Sequence, residues 1–80
     1  MSTTEALAML AQAFDAPPEE VKVDTPRANL PGWDSMGVVM LSAELDERFG
    51  LELPAEVSRA MTKVSDALDF LRAQGVLADH

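Results

Sequence analysis

The stretch Gly32-Trp33-Asp34-Ser35-Met36 decides how the chain is read. It closes a proline-rich connection and opens the best helical pattern in the sequence. Asp34 is placed to cap that helix, because a carboxylate there accepts a hydrogen bond from an N–H one turn further in. Trp33 then falls just outside the cap and Val38 at the fourth helical position, the arrangement of a hydrophobic staple. Ser35 becomes the first helical residue, where its own N–H has no intrahelical acceptor. A short hydroxyl at this point faces water at the positive end of the helix dipole. That dipole favours a negatively charged ester there by about 0.3–1 kcal/mol.

Downstream, the pattern predicts a helix from about 35 to 49. Val38, Leu41, Leu45 and Phe49 make one apolar face, with Val39 and Ser42 beside it, and Gly50 is a left-handed C-cap. A second stripe holds Met36, Met40, Ala43 and Glu47. It starts one residue after Ser35 and leads away from the core face. Exposed methionines suit an adaptable binding surface, and Asp46 and Glu47 would attract basic groups on a partner.

Upstream, Ser2 and Glu5 have the spacing of a capping box. Ala6, Leu7, Leu10, Ala13 and Phe14 repeat at three and four residues, so a first helix is expected over about 3–14, with Met9 on the same face. Residues 15–34 form a long connection carrying Pro17, Pro18, Pro26 and Pro31. Glu19 and Glu20 start a short helical turn in it, and Val21, Val23 and Leu30 are spaced to pin it onto the helices. Towards the C-terminus, Pro54 opens a short helix over about 55–60. Thr62 is the expected cap of a last helix over about 63–74, whose face is Val64, Ala67, Leu68 and Leu71, with Phe70 at the margin. Gly75 ends it, Arg72 suits its dipole, and Val76 and Leu77 pack back. The fold expected is all-α, a single domain over residues 1–80: a four-helix bundle with three longer helices and a short third.

Composition narrows the function. Hydrophobic residues make up 48% of the 80, enough for a core. Fourteen acidic against six basic residues give a net charge of −8. Such a surface repels nucleic acid and anionic membranes and favours basic protein partners. With no cysteine there is neither a disulfide nor a cysteine-based metal site. No apolar run approaches the roughly 18 residues of a membrane helix. The start of the chain also lacks the basic segment of a secretion signal. A cytoplasmic monomer is expected. The one histidine, His80, is at the end of the chain, where nothing holds a catalytic base in place. Asp46 to Glu56 lacks the oxygen spacing of a calcium loop, and no phosphate-binding Gly-Lys-Ser or Gly-Lys-Thr occurs. The residues thus present a serine without machinery to activate it, and neither a catalytic nor a metal site is expected.

Over nearly its full length the chain resembles an acyl or peptidyl carrier protein of stand-alone type. Gly32-Trp33-Asp34-Ser35-Met36 matches that family's G-x-D-S-[LM] attachment motif. Val38-Val39-Met40-Leu41, Leu45-Asp46-Glu47-Arg48-Phe49-Gly50, Leu53-Pro54 and Thr62-Lys63-Val64 follow in the family's order and spacing. The resemblance implies that Ser35 carries 4′-phosphopantetheine through a phosphodiester, with Asp34 as motif and cap residue. It also implies that the arm's thiol holds acyl, aminoacyl or peptidyl groups as thioesters. The implied partners are a phosphopantetheinyl transferase and the ligase or synthase enzymes that load the arm, meeting the chain at Met36, Met40, Ala43, Asp46 and Glu47. Members serving bacterial fatty acid synthesis tend to be acidic directly after the motif and again three residues on. Gly37 and Met40 stand there in this chain, and Arg48 interrupts the later acidic pair. Those departures, with Trp33 and Pro31-Gly32, point to a specialised pathway, polyketide-like or of nonribosomal peptide type. The alternative is a helical docking module whose serine stays unmodified.

Overall fold

Ser2 and Glu5 start the first helix by exchanging bonds. The Glu5 N–H donates to the Ser2 hydroxyl and the Ser2 N–H to the Glu5 carboxylate, each at 3.1 Å. The computed structural model describes residues 1–78. Within them the order is α1 (Thr3–Ala13), α2 (Ser35–Phe49), α3 (Ala55–Ala60) and α4 (Val64–Ala73). Two single 3₁₀ turns, Pro18–Glu20 and Arg27–Asn29, punctuate the long connection between α1 and α2. No strand forms among the described residues; an isolated bridge joins Pro26 and Lys63. The bundle is the all-α arrangement expected from the sequence, with α3 as the short helix.

The core is built from the predicted faces. Ala6, Met9, Leu10 and Phe14 come from α1 and its end, Leu41 and Leu45 from α2, and Val64, Ala67, Leu68 and Leu71 from α4. Val21, Leu30 and Trp33 drop in from the connection, Leu53 and Met61 from the flanks of α3, and Leu77 folds back from the tail. Each Val, Leu, Met or Phe side chain among them removes apolar surface from water, worth about 1.5–3 kcal/mol when fully buried.

Some expectations are corrected. Val23 does not pin the connection; it is 46% exposed. The Thr25 hydroxyl accepts the Lys22 N–H at 2.9 Å, and the tight turn so formed carries Val23 into solvent. Phe49, expected on the core face, is exposed at 37% and is not part of the core. Gly50 turns the chain in a left-handed conformation, φ 63°. The Leu51 N–H then closes onto the Leu45 carbonyl, and Leu51 packs on the core. Thr62 does not cap α4. Lys63 occupies the cap position without a side-chain bond, while the Asp66 carboxylate reaches back to accept the Thr62 N–H at 2.8 Å. Val39, expected beside the core face, is 59% exposed.

Candidate functional site

The connection and α2 meet at Asp34. Its backbone is extended, and its Oδ1 accepts the Gly37 N–H at 2.9 Å, closing the first turn of α2. Ser35 follows as the first helical residue and is exposed. The Ser35 and Met36 N–H groups belong to the turn that has no intrahelical acceptors, so the positive end of the helix surrounds the hydroxyl.

What fixes this turn is contact that only glycine permits. A side chain at Gly32 would place its Cβ 1.6 Å from the Phe14 carbonyl oxygen. One at Gly37 would place its Cβ 2.0 Å from the Gly32 carbonyl oxygen and 3.0 Å from the Phe14 ring. The end of α1, the loop before Asp34 and the first turn of α2 are therefore nested backbone on backbone. Phe14 also stacks on Trp33, with centroids 4.7 Å apart and planes 12° from parallel. The Arg27 guanidinium lies 5.1 Å from the centre of the Trp33 ring.

The glycine at 37 carried a readable signal, since glycine in a helix costs about 1 kcal/mol relative to alanine and asks for a reason. Arg27 carried no comparable signal, because Ser58 and Met61, whose carbonyls it reaches, are distant in sequence. Beside Ser35, an open hollow of about 430 Å³ is lined by residues including Phe14, Gly32, Met36, Gly37 and Met40.

The stripe beyond the serine is on the solvent side. Met36 is 66% and Met40 50% exposed. Ala43, Asp46 and Glu47 are exposed as well. With Val39, the two methionines make an apolar surface at helical spacing directly beside Ser35. The first turn of α2 carries no acidic residue. Further along, Arg48 pairs with Glu44 at 2.7 Å, so its charge is engaged within the helix rather than with Asp46 or Glu47. Among the described residues no group of three or more histidine, aspartate or glutamate side chains is gathered to hold a metal. His80 lies outside the described residues, and among those described no helix is long and apolar enough to cross a membrane.

The site thus offers an exposed hydroxyl on a fixed turn, with donors for an anion and an apolar approach surface. A phosphodiester on Ser35 fits it: the hydroxyl is open to solvent, and the Asp34 carboxylate is engaged by the Gly37 N–H. Two comparisons bear on this geometry. The family model for the phosphopantetheine attachment site matches residues 5–71. An acyl carrier protein of Sulfurovum sp. (strain NBC37-1) is 33% identical over 63 residues, covering 79% of this chain and 84% of the relative.

Proposed function

The chain belongs to the phosphopantetheine attachment family of carrier proteins, and we propose that Ser35 is the residue that bears its covalent 4′-phosphopantetheine arm. The observation that carries this reading is the exposed Ser35 hydroxyl, first in α2, on a turn fixed by the Asp34 cap and the Gly32–Gly37 nesting. The arm supplies a thiol on which groups travel as thioesters. This chain's own residues supply access to the serine, a fixed position for it and a surface for partners.

The relative's name, acyl carrier protein, favours acyl rather than aminoacyl cargo for this chain as well. A specialised, polyketide-like pathway is favoured over housekeeping fatty acid synthesis by the first turn of α2. That turn carries no acidic side chain, and at Gly37 none fits without displacing the Gly32 carbonyl. Transferase and acyl-loading enzymes then approach over Met36, Val39, Met40 and Ala43. Asp46 and Glu47 supply the electrostatic attraction.

The test is intact mass after incubation with coenzyme A, Mg²⁺ and a broad-specificity transferase. The wild-type chain gains the mass of the arm and Ser35→Ala, equally folded, gains none. Labelling of the alanine variant would move the attachment to another serine. No gain by the wild type would favour the unmodified docking module.

A further inference from the structure

Arg27 joins two places, Trp33 in its own connection and the distant α3–α4 junction. Its Nη1 donates to the carbonyls of Ser58 at 3.0 Å and Met61 at 3.2 Å, at the C-terminal end of α3. Its Nε donates to the Trp33 carbonyl at 3.4 Å, and its guanidinium carbon lies over the Trp33 ring, 5.1 Å from the centroid. Its backbone N–H donates to the Thr62 carbonyl at 2.8 Å, and the Val64 N–H returns a bond to Thr25 at 2.9 Å. One residue therefore ties the α3–α4 junction to the segment that immediately precedes Asp34 and Ser35.

The indole shows what that tie holds. Trp33 is 4% exposed, yet its Nε1 has no hydrogen-bond partner among the described residues. The ring is thus oriented by Phe14 and Arg27 and not by a bond of its own N–H. A planar, permanently charged fork holds its donors in fixed positions relative to the ring it lies over; an ammonium group on a flexible stem does not.

We propose that Arg27 is a positioning residue for the modification of Ser35: it acts through Trp33 to hold the attachment turn at the angle in which the hydroxyl meets the transferase. This rests on the reading of Ser35 as the attachment residue. The docking surface lies on α2 and is untouched by Arg27, so binding and turnover separate.

The test compares Arg27→Lys and Arg27→Gln with wild type and with Leu77→Ala. The last is a core change in the folded-back tail, used as a control for lost stability. Transferase kinetics are run at a temperature where circular dichroism shows every variant folded. Both Arg27 variants should lose about tenfold or more in kcat, the scale on which small misplacements of a reacting group act. Their KM for the carrier should stay within about twofold, as for an interaction expressed in turnover rather than in docking. Leu77→Ala should match wild type in both constants. The Gly37 amide, held by Asp34, should exchange its hydrogen faster in Arg27→Lys than in wild type, while α1 amides do not. Should Arg27→Gln not fold, Arg27→Lys, which keeps the charge at the end of α3, carries the comparison. An unchanged kcat in a folded Arg27 variant, or a loss confined to KM, overturns the proposal while leaving Ser35 as the attachment residue. A wild-type chain that gains no arm overturns both.

Discussion

Phe14 and Trp33 lie ring on ring, 4.7 Å between centroids, and so join the residue that caps the end of α1 to the loop two residues before Ser35. Phe14 also touches both glycines of the nested turn, so one side chain and one carbonyl define the floor of the site. Phe14→Ala should therefore cost about 3–5 kcal/mol, the range for emptying a buried aromatic position. Because small domains hold only about 5–15 kcal/mol in total, the variant should sit near the edge of folding. Urea titration measures the loss. A change below about 1 kcal/mol would mean that the ring is poorly packed.

Gly37 and Met40 occupy the two positions where fatty-acid-type relatives of this family tend to be acidic, and the structure separates them sharply. Met40→Glu points into solvent and should shift stability by no more than about 0.5 kcal/mol. Gly37→Glu must push the Gly32 carbonyl aside and should cost about 1–3 kcal/mol. Matched urea titrations of the two variants give the comparison. Equal costs would show either that the nested turn yields freely or that Met40 belongs to the core.

Legibility in the sequence followed the range of the interaction. Asp34 capping Gly37, Ser2 pairing with Glu5 and Gly50 turning the end of α2 are contacts within a few residues, and their residue types announce them. The helix bounds and the exposed Met36 and Met40 followed from the same local periodicity. Val39 shows where periodicity fails. It adjoins the core arc on a helical projection, but which edge of that arc is covered depends on neighbours that no period describes. Phe14 meeting Gly32 and Arg27 meeting Ser58 were unreadable for the same reason, since each joins segments brought together only by the tertiary fold. Thr62 misled because its type suits a cap, while the bond that forms there is made by the Asp66 carboxylate, one turn into α4.

Acid should weaken the fold through two carboxylates at helix starts. The Ser2 backbone N–H, then its hydroxyl, holds Glu5 below its ordinary pKa of 4.5. The Thr62 backbone N–H does the same for Asp66, below its ordinary 3.8. A folded pKa below the unfolded value means stabilisation that is present above the unfolded pKa and is lost as pH falls through the folded one. The loss should therefore begin near 4.5 for Glu5 and near 3.8 for Asp66 and continue to lower pH. Glu5→Gln combined with Asp66→Asn should flatten that part of the curve of melting temperature against pH. An acid slope identical to wild type would assign acid sensitivity to other carboxylates.

The surface beside Ser35 predicts two separable effects on partner kinetics. Met36, Val39 and Met40 are exposed apolar side chains without a core role, so an acidic residue among them should leave the fold intact and weaken docking. Met36→Asp should lower kcat/KM of the transferase by a factor of about 5–30, chiefly through KM, on the scale of an interface residue whose loss costs about 1–2 kcal/mol. Glu47 lies at the far end of the same stripe and acts at longer range. Glu47→Lys should slow association with a basic partner and make the rate less sensitive to salt. Stopped-flow association at low and moderate ionic strength separates the two. If Glu47→Lys leaves both the association rate and its salt dependence unchanged, the attraction does not come from this end of α2. The division of this helix into an apolar contact end and an acidic steering end would then be wrong.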